Sequence, residues 1–209
     1  MKIATSYLKI QDEKENIEKL NEYADIMHYD IMDGNFTSNK TIPFDKVCFN
    51  TANVTKDKDI HLMVTDIYNY IDCYSKLNPY NITFHIEIGN TSNIINYIKS
   101  KGIKVGLALN PDTLVSEIIP YLKDVDIVLV MSVVPGAGGQ KFIDISSKIE
   151  YLYNYRQENN LSYKIEVDGG INDVTIKLIK KADIAVVGSF ITNSDDYKKQ
   201  ILKLEDAYE

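Results

Sequence analysis

Residues 25–34, DIMHYDIMDG, place a histidine and an aspartate inside a short apolar run. Side chains alternate between the two faces of a β-strand, so His28 and Asp30 share one face of a strand predicted over residues 25–31. Similar runs rich in Ile and Val recur between longer segments of helical period, which predicts βα units around a parallel sheet. These runs cover residues 2–8, 59–64, 81–87, 103–109, 126–132, 163–167 and 183–187.

The number of runs decides between the common arrangements of a parallel sheet. Eight strands alternating with helices predict an α/β fold of the (β/α)8 TIM-barrel class rather than an open doubly wound sheet. No Gly-x-Gly-x-x-Gly pattern follows the first run, which argues against dinucleotide binding. No linker rich in Gly, Pro or Ser is present, so we expect residues 1–209 to form a single domain. An apolar stripe predicts a helix after the fifth strand; its members are Leu114, Ile118, Tyr121 and Leu122.

Charge and hydropathy limit the classes of partner. The 209 residues carry a net charge of −7, and no cluster of Lys and Arg marks a nucleic-acid surface. No apolar run reaches the about 18 residues that a membrane span needs, so we expect neither nucleic acid nor a membrane as partner. The N-terminus lacks the apolar stretch of a signal peptide, and the cysteines, Cys48 and Cys73, make no disulfide framework. These features predict a cytoplasmic protein.

Polar side chains stand on three of the predicted strands. His28 and Asp30 lie on the second strand, His61 lies on the third, and Asp168 closes the seventh. Because the C-terminal ends of barrel strands meet at one face, we expect these side chains to converge. Two imidazoles and two carboxylates can bind one divalent metal ion, and Zn²⁺, Fe²⁺, Mn²⁺ and Co²⁺ all suit such a set. We interpret His85, near the end of the fourth strand, as a packing residue.

Glycines follow the last three predicted strands. They occur in the segments PGAGGQKF (135–142), DGG (168–170) and GS (188–189). Glycine lets main-chain N–H groups approach a bound anion closely, and barrels often hold a phosphate after strands 7 and 8. We therefore expect these loops to hold a phosphate group. Met32, Met63 and Met131 lie near the same strand ends, where their side chains either fill the core or form the floor of a substrate site.

Seven segments together resemble the ribulose-phosphate 3-epimerase family in order and spacing, from the first strand to about residue 191. They are HYDIMDG, HLMV, ITFHIE, LNPDT, VLVMSVVPGAGGQKF, IEVDGGIN and VVGS. The resemblance implies a TIM-barrel isomerase that interconverts D-ribulose 5-phosphate and D-xylulose 5-phosphate with one bound divalent metal ion. It implies that Asp30 and Asp168 are the acid/base pair, that a small-molecule sugar phosphate is the partner, and that the chain forms a homo-oligomer.

The resemblance also assigns residues to the site. It implies that the metal ligands are His28, Asp30, His61 and Asp168. Ser6 matches the serine of the first-strand motif of the family and would contact substrate. With the methionines and the glycine loops, the expected substrate-binding residues are Ser6, Met32, His61, Met63, Met131, Gly136, Ala137, Gly138, Gly139, Gly169, Gly170, Gly188 and Ser189.

Three departures from the family pattern bear on the choice of substrate. Thr5, Val134 and Ala137 stand where relatives commonly have Pro, an acidic or amide residue, and Phe. Closely related enzymes epimerise D-allulose 6-phosphate with the same ligand set, so this six-carbon sugar phosphate is the alternative substrate. A sugar-phosphate decarboxylase is a further alternative, but HYDIMDG lacks the lysine that such an enzyme would be expected to use. A non-catalytic metal-binding barrel is the last alternative, and the two carboxylates argue against it.

Overall fold

Eight parallel strands close into a barrel in the computed structural model of the chain, which describes residues 1–208. Each strand pairs with its neighbours in chain order, and β1 pairs with β8 to complete the ring. The predicted (β/α)8 TIM barrel is confirmed. Glu209, at the end of the predicted domain, lies outside the described residues. The strands are β1 Lys2–Ser6, β2 Ile26–Met32, β3 Asp57–Met63, β4 Asn81–His85, β5 Lys104–Leu109, β6 Ile127–Met131, β7 Lys164–Asp168 and β8 Ile184–Val187.

Helices cover the outside of the barrel and bury one apolar side. In α4, for example, Ile94 and Ile98 are fully buried one helical turn apart. None of the helices within residues 1–208 is both long enough and apolar enough to cross a membrane. The α-helices are α1 Lys14–Tyr23, α2 Phe44–Asn50, α3 Ile67–Tyr74, α4 Thr91–Ser100, α5 Ser146–Glu158, α6 Ser189–Thr192 and α7 Tyr197–Tyr208. The 3-10 helices are Leu8–Ile10, Ser75–Leu77, Ile86–Ile88, Val115–Glu117, Ile119–Tyr121 and Thr175–Ile179.

The connection after β5 differs from the sequence-based expectation. Two short 3-10 helices occupy residues 115–121, so the α-helix predicted from the apolar stripe is wrong. Pro120 lies in this segment, and a proline removes a backbone donor and blocks the continuation of an α-helix. Leu114 is exposed, whereas Ile118 and Leu122 are buried in the core between the strands and the outer layer. The apolar pattern therefore predicted burial at these two positions but the wrong type of helix.

The inner face of the barrel is polar toward the C-terminal ends of the strands. On β2, Tyr29 and Ile31 belong to the core between the strands and the helices, so His28 and Asp30 lie on the inner face. The register of β2 and β3 pairs Asp30 with His61. A separate cluster of small and branched apolar side chains fills the interior between β1, β2 and β8; it contains Ala4, Ile26, Ile184 and Val186.

Candidate active site

Two histidines and two aspartates meet at the C-terminal ends of β2, β3 and β7. One nitrogen or oxygen atom from each of the four side chains lies within 4.8 Å of the corresponding atoms of the others. His28 and His61 are fully buried, Asp30 is 9% exposed, and Asp168 is half-buried. The structure thus brings together the residues His28, Asp30, His61 and Asp168, which the sequence analysis expected to converge.

The His28 ring is held from below by a buried carboxylate. His28 Nδ1 lies 2.5 Å from Asp59 Oδ2, and Asp59 Oδ1 accepts a hydrogen bond of 2.5 Å from the Asn81 amide. His28 Nε2 lies 3.4 Å from Asp30 Oδ1 and has no hydrogen-bond partner. Burial lowers the pKa of His28, but the charges of Asp59 and Asp30 outweigh burial and raise this pKa well above its usual range. Because Asp59 holds Nδ1, the ring directs Nε2 into the cluster.

The His61 ring directs its other nitrogen into the same space. His61 Nδ1 lies 3.4 Å from Asp30 Oδ1 and 3.8 Å from Asp168 Oδ2, and it has no hydrogen-bond partner. Burial lowers the pKa of His61, which favours the neutral ring. Two partnerless imidazole nitrogens and two carboxylates in one buried space fit a divalent cation, because imidazole and carboxylate are the ligands that such ions take.

The two aspartates of the cluster occupy different electrostatic environments. Burial raises the pKa of Asp30, but His28 and His61 outweigh burial and hold this pKa well below its usual range. Asp30 Oδ2 also accepts a hydrogen bond of 2.6 Å from Ser6 Oγ. Burial and then the charge of Asp30 raise the pKa of Asp168 to about 7. One carboxyl group is thus ionised at neutral pH, while the other holds a proton for part of the time.

A cavity opens above the cluster at the C-terminal end of the barrel. Predicted residues that line it are Ser6, Asp30, Met63, Met131, Gly136, Ala137, Gly138, Gly139, Asp168, Gly169, Gly170, Gly188 and Ser189. His61 does not line it, and Met32 instead lines a neighbouring apolar pocket with Thr41 and Phe44. Lining residues that the sequence analysis did not name are Leu8, Lys9, Val133, Gln140, Ile171, Val186 and Thr192.

Two glycines on one side of this cavity have positive φ angles, and one of them, Gly170, is also closely packed. Gly170 has a φ of +62°, and a Cβ atom there would lie 2.7 Å from the Phe142 nitrogen and 3.0 Å from the Gln140 carbonyl oxygen. Gly139 has a φ of +78°, and a Cβ there would lie 3.5 Å from Lys9 Nζ. Only glycine adopts such backbone conformations readily, so these loops expose main chain to the cavity.

Polar residues beneath and beside the four-residue cluster escaped the sequence analysis. Asp59, Asn81 and Glu166 are fully buried inside the barrel. Burial and the charge of Asp59 raise the pKa of Glu166 well above its usual range, and both Glu166 carboxyl oxygens are buried without a hydrogen-bond partner. A spacing of two could have identified these residues, because Asp59 precedes His61 by two positions and Glu166 precedes Asp168 by two.

His85 also occupies a different environment from the packing role proposed for it. His85 Nε2 lies 2.9 Å from His61 Nε2, and His85 Nδ1 lies 3.1 Å from Glu87 Oε2. A single histidine on β4 carries no sequence signal that distinguishes this arrangement from packing. The contact with His61 follows from the barrel, which places β3 beside β4.

The chain matches known proteins over most of its length. The model of the Ribulose-phosphate 3 epimerase family matches residues 2–192. The ribulose-phosphate 3-epimerase of Helicobacter pylori is 36% identical over 213 residues, covering 99% of this chain and 97% of the relative. The ribulose-phosphate 3-epimerase of Methanocaldococcus jannaschii is 39% identical over 200 residues, covering 93% of this chain and 84% of the relative.

Solved structures with a similar fold have other activities in their names. KGPDC from Streptococcus mutans aligns with a TM-score of 0.72 and 12% identity over 99% of this chain and 96% of that one. The 3-hexulose-6-phosphate synthase of Salmonella typhimurium aligns with a TM-score of 0.71 and 15% identity over 100% of this chain and 98% of that one. At this identity the likeness shows the barrel fold alone. The match of the family model and the identity to its members show that the chain belongs to the ribulose-phosphate 3-epimerase family, and thus to the isomerases.

Proposed function

We propose that the chain interconverts D-ribulose 5-phosphate and D-xylulose 5-phosphate, with one divalent metal ion bound by the four-residue cluster. The observation that carries the proposal is the pair of carboxyl groups, Asp30 and Asp168, which line one cavity beside two partnerless imidazole nitrogens. Epimerisation beside a ketone removes a proton from carbon 3 and returns one to the opposite face of that carbon. An ionised and a protonated carboxyl group meet this need.

The residues of the chain divide the work of the reaction. In one direction Asp30 accepts the proton from carbon 3 and Asp168 donates a proton to the other face, and in the reverse direction the roles are exchanged. Ser6 donates a hydrogen bond to Asp30 and thereby fixes the orientation of its carboxylate. His28, Asp30, His61 and Asp168 would hold a divalent cation, which would supply positive charge to offset the negative charge of the enediolate.

The rest of the cavity suits the phosphate end of the substrate. The glycine loops expose main chain, and both Ser189 and Lys9 line the cavity beside them. Main-chain N–H groups, a hydroxyl and a lysine are donors for a phosphate dianion. Met63 and Met131 also line the cavity, where their apolar side chains exclude water and so strengthen the charge interactions within the site. A role for Met32 in the substrate site and the association of the chain into a homo-oligomer stay predictions.

A comparison of two substrates under controlled metal content tests the proposal. The chain is stripped of metal, reconstituted separately with Zn²⁺, Fe²⁺, Mn²⁺ and Co²⁺, and assayed on D-ribulose 5-phosphate and D-allulose 6-phosphate. We expect the higher kcat/KM on the five-carbon sugar, loss of activity in the metal-free sample and recovery on addition of at least one ion. A higher kcat/KM on D-allulose 6-phosphate would replace the proposed substrate. Full activity in a metal-free sample would reject the role of the metal.

A further inference from the structure

A line of three polar side chains leads from the cluster to the segment after β4; its two imidazoles are buried and its carboxylate, that of Glu87, lies at the surface. His61 Nε2 lies 2.9 Å from His85 Nε2, and His85 Nδ1 lies 3.1 Å from Glu87 Oε2. Both imidazoles are fully buried, and their rings stack with centroids 5.0 Å apart and planes 23° from parallel. Because both rings are buried away from water, one of the two facing nitrogens, His61 Nε2 and His85 Nε2, must donate a hydrogen bond and the other must accept it.

The direction of these hydrogen bonds is set from the Glu87 end. Glu87 Oε1 accepts hydrogen bonds from the Asn110 backbone N–H, at 2.9 Å, and from the Thr113 hydroxyl. Burial raises the pKa of Glu87, but the hydrogen bonds from His85, Thr113 and Asn110 outweigh burial and lower this pKa to about 2. The ionised carboxylate is therefore only an acceptor, and His85 Nδ1 must carry a hydrogen and donate to it.

The hydrogen position on His85 then fixes the one on His61. Only one hydrogen fits between His85 Nε2 and His61 Nε2. His85 is fully buried, which favours the neutral ring, and the one hydrogen of that ring lies on Nδ1, so its Nε2 carries a lone pair. His61 Nε2 faces that lone pair at 2.9 Å and must donate to it. The neutral His61 ring is left with its own lone pair on Nδ1, the partnerless atom that faces Asp30 and Asp168.

We propose that His85 and Glu87 are positioning residues that hold His61 in the tautomer that presents Nδ1 to the divalent cation. This inference rests on the proposed function, because the lone pair on His61 Nδ1 is needed only if a metal ion binds there. A carboxylate or another acceptor on the second nitrogen of a histidine ligand fixes the tautomer and orientation of the ring, and its loss weakens metal binding by about 10- to 100-fold. His28 has such a partner directly in Asp59. His61 reaches Glu87 through His85.

The surroundings of Glu87 and His85 limit their movement. Lys148 Nζ donates hydrogen bonds to the carbonyl oxygens of Asn110, Pro111 and Thr113, which holds the segment that contacts Glu87. The Phe36 ring packs on His85 with centroids 4.8 Å apart. These contacts restrain both Glu87 and His85, as a positioning role requires.

Two substitutions at one position separate hydrogen bonding from packing. His85→Gln keeps a carbonyl oxygen that can accept from His61 Nε2, whereas His85→Leu keeps the bulk without an acceptor. The tautomer of His61 is read from imidazole ¹⁵N shifts in the metal-free protein, and the Zn²⁺ dissociation constant from competition with a chromophoric chelator. We expect His85→Leu to populate the Nδ1–H form and to weaken Zn²⁺ binding by about 10- to 100-fold, with His85→Gln within about threefold of the parent chain.

Further variants make the result decisive. Phe36→Leu removes packing on His85 but none of the hydrogen bonds, and we expect it to leave the His61 tautomer unchanged. If thermal unfolding shows that His85→Leu does not fold, Glu87→Ala takes its place, because it removes the acceptor that orients His85. Parent-like tautomer and Zn²⁺ affinity in the folded variant would overturn the proposal. Equal loss in His85→Gln and His85→Leu would overturn it as well.

Different results would overturn the positioning role of His85 and Glu87 and the proposed function. If the parent chain binds no divalent cation, both the positioning role of His85 and Glu87 and the role of the metal are overturned. A parent chain that binds Zn²⁺ but turns over neither sugar phosphate would overturn the proposed reaction alone. In that case the tautomer and the affinity of the variants still decide the positioning role of His85 and Glu87.

Discussion

The mouth of the barrel has two sides that are built in opposite ways. The histidine side, formed by β2, β3 and β4, contributes buried side chains, namely those of His28, Asp30, His61 and His85. The glycine side, formed by the loops after β6, β7 and β8, contributes main chain at residues 136–139, 169–170 and 188. The histidine side depends on particular side-chain atoms. The glycine side depends largely on main chain, although Asp168 at the end of β7 and Ser189 after β8 contribute side chains. Substitutions on the two sides should therefore fail for different reasons.

The difference follows from what each side is expected to bind. A metal ion needs ligand atoms fixed to within a fraction of an ångström, and buried hydrogen-bond networks provide that rigidity. A phosphate group accepts hydrogen bonds from many directions, and exposed main-chain N–H groups meet it without a particular side chain. The histidine side accordingly lies in the interior, while several glycine-side loop residues are exposed.

The largest effect is expected from the carboxyl groups of the cluster. Asp30→Asn and Asp168→Asn keep the size of the side chain and remove its ability to exchange a proton, so we expect kcat to fall by about 10³-fold or more. Circular dichroism and thermal unfolding should show a folded barrel in both. Asp45→Asn, on the exposed surface of α2, is the matched control and should keep the parent kcat. A near-normal kcat in either cluster variant would contradict the acid/base assignment.

Glycine-side substitutions are expected to act through sterics. Gly170→Ala would place a Cβ 2.7 Å from the Phe142 nitrogen at a φ of +62°. We expect it to lower the free energy of unfolding by about 1–3 kcal/mol and to raise the KM for the sugar phosphate. A Cβ at Gly138 would meet nothing closer than Lys9, at 3.9 Å, so Gly138→Ala should stay within about 0.5 kcal/mol of the parent.

Urea denaturation and steady-state kinetics measure both glycine variants. The comparison of the two sides predicts that Gly170→Ala changes KM and stability more than kcat, because no group that transfers a proton is touched. Equal stability of the two variants would show that the loop around Gly170 rearranges at little cost, and the glycine side would then tolerate side chains after all.

The same difference explains how much could be predicted from the sequence. Spacing of two along a strand and position at a strand end were sufficient to place His28, Asp30, His61 and Asp168 together. Both properties can be read locally, and a closed barrel brings the ends of its strands to one face. The partners of those residues were harder to predict. The contact of His85 with His61 depends on how neighbouring strands pair, and a single sequence does not show that pairing.

Short irregular segments were the other source of missed residues. Glu87 lies in the 3-10 helix after β4, and Lys9 lies in the one after β1. The direction of a side chain in such a segment depends on how the chain leaves the strand, so spacing rules for strands do not apply to it. The helix predicted after β5 failed for a related reason, because Pro120 stops an α-helix without changing the apolar pattern.

Lys9 gives the smallest expected effect and tests whether a charged side chain contributes to phosphate binding beside the glycine side. Lys9 follows β1, which pairs with β8 and with β2 and so lies between the two sides. Lys9 Nζ donates a hydrogen bond of 3.2 Å to Asn193 Oδ1, and its side chain is exposed at the rim of the cavity. An exposed cation beside a phosphate contributes about 1 kcal/mol, which corresponds to roughly a fivefold change in affinity.

We therefore expect Lys9→Ala to raise the KM for the sugar phosphate, and the inhibition constant for inorganic phosphate, by about fivefold, with kcat unchanged. The effect should shrink as salt increases, because screening weakens exposed charge pairs. Lys9→Arg should recover most of the affinity, and Lys14→Ala, which removes a lysine that does not line the cavity, should leave both constants unchanged. A fall in kcat at constant KM would instead place Lys9 with the histidine side, because its charge would then act on the transition state rather than on the bound phosphate.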